Sequence, residues 1–403
     1  MAKSPSSPNN TLSMPSEKAD NPGPVHACFD ASIDVSPAAP LDPKALPALG
    51  AVYLLSDADD TPIFLSVCEN LRRVVPPRLA ADSSDEPTKR AKLGDITRRI
   101  RWKRTRGAFE GLLWHWRIAR DIFPDRYASM LGFGPCALLR VDPAAAFPRF
   151  EPTNVIRDDG ARYFGPIPRR RDAEALVRLL EDAFDLCRDY DILQRTPNGD
   201  RCAYFDMGRC PAPCDGTAPM SIYRQSIDEA LTFLLAPTEA NLTPVQRRMR
   251  AAAESLAFES AAAYKRVFDD ALRLPHRTSF AYLNDVSAAT WIAVVRASVK
   301  RKNTDETRLK AYRLTRGAAF ELQTGAAGDI QALSDAWRQE TPTDSSPRPT
   351  NDARLMTESM RLLSRFLFKE NQRDVFIFPH DRWPAFDAWD GALAPLLDTR
   401  RRL

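Results

Sequence analysis

The sequence predicts an α+β protein built from small pieces, and three observations carry that expectation. Two short β-like runs, AVYLL and PIFLSV, lie between Leu49 and Val75 and are separated by the turn-forming Asp57, Asp59 and Asp60. Apolar residues then return at helical spacing in Ala108, Leu112, Leu113 and Trp116. Further on, a helix-friendly stretch from Asp172 to Asp185 leads into a cysteine-rich segment and two alanine-lined helical segments. Such a mixed β-β-α order suits a small α+β domain followed by separate modules.

In chain order, residues 1–44 are rich in Pro, Ser, Ala and Asp without periodicity and read as a disordered N-terminal tail. Residues 45–160 form the first α+β domain. Its second β run passes into Glu69-Asn70-Leu71-Arg72-Arg73, and residues 76–88, with Pro76, Pro77, Ser83, Ser84 and Pro87, read as a flexible insertion. Residues 89–106 hold nine Lys or Arg against the single Asp95. Arg98, Arg99, Arg101, Lys103 and Arg104 are therefore candidate contacts for DNA phosphates, with Trp102 available for stacking; a solvated surface segment is the competing reading. Residues 161–240 form the cysteine module, 241–275 a helical hairpin, and 276–403 a C-terminal region of uncertain fold. In that last region FAYLNDVSAATWIAVVRASV and AYRLTRGAAFEL are β-rich, TPTDSSPRPTND breaks the chain, and an apolar helix runs from Leu355 to Phe368. Asp285 in NDV reads as a loop aspartate.

At 403 residues with 44% apolar side chains the chain can supply cores for two or three domains, and its charge of +4 is only mildly basic. No apolar run approaches a membrane span, and MAKSPSSPNN has no apolar signal core. The expectation is a cytoplasmic protein whose thiols stay reduced.

Four of the seven cysteines, Cys187, Cys202, Cys210 and Cys214, fall within one short stretch containing RCAYFDMGRCPAPCDG. Thiolates in a C-x7-C-x3-C arrangement, with a fourth upstream, suit zinc or an iron-sulfur cluster rather than magnesium or calcium. Pro211 and Pro213 rigidify the turn between the last two, and Gly208 and Gly216 permit tight backbone. Buried apolar cysteines are the alternative.

This phrase and its flanks resemble the UvrC/Cho family, the incision components of bacterial nucleotide excision repair. Upstream, Arg162-Tyr163-Phe164-Gly165-Pro166 resembles the family's YFGP signature, preceded by Arg157-Asp158-Asp159. Downstream, Met249, Ala252, Ala253, Glu254, Leu256, Phe258, Glu259, Ala261, Ala262 and Tyr264 resemble its UVR motif. The three signatures occur in family order over about residues 45–275. The resemblance implies a 4Fe-4S cluster on Cys187, Cys202, Cys210 and Cys214, with structural zinc as the alternative, and a GIY-YIG-like nuclease domain. It also implies an RNase H-like nuclease and helix-hairpin-helix repeats toward the C-terminus, neither of which can be placed in this sequence.

At the GIY-YIG positions the sequence departs from the family. Such a site uses tyrosine-assisted water, an arginine that stabilises the transition state, and a glutamate holding a divalent cation such as magnesium. Ala51-Val52-Tyr53 resembles the GIY element and keeps Tyr53 as the one retained catalytic candidate. Phe64-Leu65-Ser66 stands for YIG, and the arginine slot holds Val74, with Arg72 and Arg73 nearby. EGLLWH places Glu110 on the family's first glutamate and His115 on the metal-binding one. Residues five apart on a helix are separated by about 140°, so Glu110 cannot simply replace it. A degenerate domain with little or no nuclease activity is expected, and a divalent cation only if activity survives.

The hairpin can be read without the family. Thr243 as N-cap and Pro244 as first helical residue start one helix, on which Val245, Met249, Ala252 and Leu256 recur. A second carries Ala261, Tyr264, Phe268 and Leu272. Two such helices bury little between them and invite a partner, an internal helix pair being the other reading. In the family the partner is UvrB, which makes Met249, Leu256, Phe258, Glu259 and Tyr264 the partner-binding candidates. Three functions follow: a non-catalytic UvrC-like protein binding DNA and UvrB, a Cho-like endonuclease making one incision in damaged DNA, or a retained fold in an unrelated role.

Overall fold

The structure is a computed structural model, and it describes residues 28–36, 38–39, 41–80, 93–297, 307–340, 349–369, 374–385 and 388–397. The chain divides into two units, one of residues 1–104 and 114–130 and one of residues 105–113 and 131–403. No helix among the described residues is long and apolar enough to cross a membrane.

The first unit is an antiparallel sheet of β1 (Ala31–Asp34), β2 (Ala51–Ser56), β3 (Pro62–Cys68) and β4 (Arg99–Arg104), in the order β1-β4-β2-β3. Around it lie α1 (Leu71–Leu79), α2 (Leu93–Ile96), the later part of α3 (Gly107–Ile122) and α4 (Tyr127–Met130). The Asp57 side chain accepts the amides of Asp59 and Thr61, closing the β2–β3 turn as its Asp-rich sequence requires. All six residues of β2 are buried, so the strand reads as a continuous apolar run. On one face Ala51, Tyr53 and Leu55 pack with Cys68, Leu71, Val75 and Ile100.

Two expectations for this unit change. Of the expected tail, residues 1–27 lie outside the described residues, but β1 pairs with β4 because Ile33 packs against the core and Asp34 meets Arg99 at 2.6 Å. Of the expected insertion at 76–88, residues 81–88 lie outside the described residues, while Pro76 and Pro77 sit inside α1. The helix tolerates them because it starts on an Asn70 cap, 3.1 Å from the Arg73 amide, and stops at Leu79, so few backbone bonds are lost.

In the second unit, β5 (Ala137–Val141), β6 (Phe150–Thr153), β7 (Arg162–Ile167) and β8 (Asn284–Asp285) form a sheet in the order β6-β5-β7-β8. Because β5 and β6 pair here, residues 131–160 belong with the cysteine module, and the expected boundary at 160 moves to about 130. Over this sheet pack α5 (Arg170–Phe184), the short α6 (Tyr190–Leu193), α8 (Met220–Leu235), α9 (Thr243–Glu254) and α10 (Phe258–Leu272), while the short α7 (Ala203–Asp206) buries no residue. The buried side of α5, Ala173, Leu176, Leu180, Ala183 and Phe184, has helical spacing, and a left-handed Asp185 (φ 51°) ends it. Asp285 is strand rather than loop: it is 6% exposed and accepts Arg162 Nη2 at 2.6 Å.

The C-terminal region is a second antiparallel sheet of β9 (Thr290–Arg296), β10 (Arg308–Thr315), β11 (Ala318–Ala326) and β12 (Val375–Pro379), ordered β11-β10-β9-β12. Helices α11 (Ile330–Gln339) and α13 (Ala388–Leu397) cover it through Trp337, Trp389 and Leu393. Helix α12 (Ala353–Leu367), close to the expected helix, ties this sheet to the first one by the Thr357 hydroxyl, which accepts the Ile156 amide at 2.8 Å. Arg316 (φ 40°) and Gly317 (φ 73°) make the β10–β11 turn; a side chain on Gly317 would lie 2.8 Å from Leu355 Cβ. The break expected at 341–352 falls mostly on residues outside the described set, which resumes at 349.

Candidate functional site

The four cysteines converge between α5 and α8. The Cys187 thiol follows the end of α5, Cys202 precedes α7, and Cys210 and Cys214 flank a turn in which Ala212, between two prolines, is left-handed (φ 54°). Gly208 (φ 66°) and Gly216 (φ 81°) are left-handed, as expected for the tight backbone of this loop. The Gly199 amide donates to the Cys214 carbonyl at 2.8 Å and closes the loop on itself. All four are free thiols. Burial first, then the charges of Cys210, Cys214 and Cys202, pushes the Cys187 thiol up to about 12. Burial likewise raises Cys210 and Cys214, with Cys202 adding to both. Four thiols near enough to repel as anions are a donor set that a cationic centre would stabilise as thiolates. Among the described residues no group of three or more His, Cys, Asp or Glu is arranged to hold a metal ion, the four cysteines included.

Beside this module, α9 and α10 pack as the expected hairpin. Thr243 is the first helical residue rather than the cap, and its hydroxyl donates to the Ala240 carbonyl at 2.7 Å. Of the partner-binding candidates, Tyr264 and Met249 face inward. Tyr264 is 5% exposed and its hydroxyl donates to the Gly208 carbonyl at 3.1 Å, while Met249 packs against the core. Tyr264 links the hairpin to the cysteine loop, and the Arg248–Asp185 pair at 2.6 Å ties it to the end of α5. Leu256, Phe258 and Glu259 stay exposed at the tip, Leu256 at 72% and Phe258 at 67%.

The YFGP signature is structural in its contacts. The Tyr163 hydroxyl donates to Asp159 at 3.0 Å and accepts the Arg157 amide at 3.0 Å, while Asp159 is paired with Arg140 at 2.8 Å. A Cβ on Gly165 would stand 2.5 Å from Leu138 Cδ2, so a larger residue there would have to displace that side chain.

In the first unit Tyr53 is fully buried, and burial raises its pKa. Its hydroxyl accepts Arg78 Nη1 at 3.0 Å, and the same guanidinium lies 4.7 Å over the ring of Phe64. Sequence reasoning missed Arg78 because it examined slot 74; residues 74 and 78 are one helical turn apart and share a face. His115 is buried, donates to the Leu65 carbonyl, and has its pKa lowered by burial, so it stays neutral. In the second unit Glu110, 1% exposed, is taken up by Lys310 and the Tyr312 hydroxyl.

Most of the basic strand's charge is paired. Arg99 pairs with Asp34 and Asp60, Arg101 with Asp60, and Lys103 with Asp30 at 2.8 Å. Arg101 is 7% exposed, Arg98 donates to the carbonyls of Asp95 and Thr97, and Trp102 is half-buried against the core. Of the five residues expected to contact DNA, Arg104 alone has an exposed side chain with no carboxylate partner among the described residues.

Comparison with known proteins agrees with the sequence resemblance. Residues 136–233 match the UvrC/Cho excinuclease middle domain. UvrABC system protein C of Trichlorobacter lovleyi is 28% identical over 222 residues, which cover 55% of this chain and 36% of the relative. The proteins of the same name from Desulforudis audaxviator and Syntrophus aciditrophicus are 30% identical over 221 residues and 35% identical over 126 residues, covering 54% and 31% of this chain and 35% and 20% of the relatives. The chain thus spans about a third of the length of the first and second of these relatives. No solved structure matches it.

Proposed function

We propose that this chain, similar over about half its length to UvrABC system protein C, is a UvrC-like protein of nucleotide excision repair that binds DNA and UvrB. The observation that carries the reading is the cysteine loop inside the matched middle domain, a domain joined by Tyr264 and Arg248 to a hairpin whose tip is apolar and exposed. The resemblance implies a 4Fe-4S cluster on Cys187, Cys202, Cys210 and Cys214, with structural zinc as the alternative on the same thiolates, although the described residues hold no group of three or more ligating side chains gathered to hold a metal ion. Such a centre fixes the loop between α5 and α8 and through it the base of the hairpin.

Little or no GIY-YIG nuclease activity is expected. Phe64 has no hydroxyl, Val74 has no charge, and His115 keeps its ring on a backbone carbonyl where a magnesium site would need a carboxylate oxygen. Purified protein with magnesium or manganese, with and without UvrB, should leave labelled damaged DNA unnicked, and Tyr53→Phe should change nothing. Robust nicking by the wild type that disappears in Tyr53→Phe would establish the Cho-like endonuclease instead.

A further inference from the structure

Charge in the first unit is divided unequally between β4 and α1. On β4, Arg99, Arg101 and Lys103 each meet an aspartate of their own unit, which leaves Arg104 as the strand's one exposed cation without a carboxylate partner among the described residues. On α1, Arg72, Arg73 and Arg78 are exposed, the helix carries no acid, and none of the three forms an ion pair with a described residue. Arg72 is committed to structure, its Nε donating to the Leu46 carbonyl at 2.8 Å. Arg78 is different. Its guanidinium is laid over Phe64 at 4.7 Å and donates once, to the Tyr53 hydroxyl at 3.0 Å, so a rigid sheet holds an exposed cation in place. Neither anchor is anionic. A guanidinium has five donors in a planar fork that matches two phosphate oxygens, and one fixed in advance loses less freedom on binding than a free side chain.

We propose that Arg78 is the DNA phosphate contact of the first unit, with Arg73 as a second cation on the same helix and Tyr53 and Phe64 as the groups that hold Arg78 in position. The inference rests on the DNA-binding reading and moves that role from β4 to α1.

The test is fluorescence anisotropy of the full chain on a labelled DNA duplex across a potassium chloride series. Arg78→Ala should weaken binding about fivefold near 0.1 M salt and reduce the slope of log affinity against log salt by about 1, as expected for one lost phosphate contact. Arg78→Lys keeps the charge, so it should restore the slope while recovering only part of the affinity. Adding Arg73→Ala should remove about one further unit of slope. The charge-neutral pair Arg99→Ala with Asp34→Ala should leave both quantities unchanged. Wild-type slope and affinity in a folded Arg78→Ala protein, or an equal loss in the Arg99–Asp34 variant, would overturn the assignment while leaving DNA binding intact. A wild type that binds no duplex would overturn the DNA-binding reading itself and this inference with it.

Discussion

Cys214→Ser should release the proposed metal centre from the cysteine loop and unfold the loop locally. Protein purified without oxygen is expected to carry iron and sulfide in equal amounts and to absorb broadly toward the blue; the variant should contain little of either. The effect is the largest predicted here because ligand binding by thiolates is also folding free energy, on the order of 10 kcal/mol in peptides that fold only with metal. The loop has little else to hold it. Residues 196–217 carry short helices, turns and a few backbone bonds such as Gly199 to Cys214, and the exposed Tyr204 and Met207 add no core. Its frame is different, since Tyr223, Ile227 and Phe233 of α8 pack directly on α5 and the sheet. Hydrogen exchange should therefore rise across the loop while α5 and α8 stay protected. Full iron and sulfide in Cys214→Ser would remove that residue from the ligand set. Stoichiometric zinc without sulfide in the wild type would leave a four-thiolate structural site in place of the cluster.

The fold and the sites were legible in the sequence where local pattern decides the outcome. The Asp-rich β2–β3 turn, the spacing on α5 and the alanine-lined hairpin all formed as their residues dictate. What failed depended on contacts between residues distant in sequence. Counting charge along residues 89–106 could not reveal that Asp30, Asp34 and Asp60, 39 to 73 residues from their partners, pair Arg99, Arg101 and Lys103 of β4. Matching the arginine slot by position hid Arg78, since a helix offers the same face again one turn later. Tyr264 and Met249 matched a partner-binding motif, yet motif membership does not say which face of the hairpin a residue occupies: Tyr264 is buried and Met249 is half-buried against the core. The boundary at 130 was hidden for the same reason, because β5 finds its partner β7 only after the β6 excursion.

The exposed hairpin tip leads to a prediction in which stability and binding move in opposite directions. Helix α9 ends in a Schellman arrangement: the Ala257 amide donates to the Ala252 carbonyl at 2.9 Å and the Leu256 amide to the Ala253 carbonyl at 3.1 Å. That motif favours glycine at its left-handed position, but the residue here is Leu256, at φ 61° and 72% exposed. A large apolar side chain held in a strained conformation and facing water contributes little to this fold, and Phe258 beside it is 67% exposed. Leu256→Gly should therefore stabilise the protein, by about 0.5–1 kcal/mol, through relief of the left-handed strain, read as a small rise in Tm. The same change should weaken binding to UvrB. Phe258→Ala should cost on the order of 2 kcal/mol of UvrB affinity, as buried aromatic anchors do, with Tm nearly unchanged because the ring has little internal packing to lose. Calorimetric titration with UvrB and thermal melts of the two variants check both halves. A fall in Tm for Phe258→Ala would show that the ring packs internally. Unaltered UvrB affinity in both folded variants would remove the tip as the contact, and no binding by the wild type would remove the partnership.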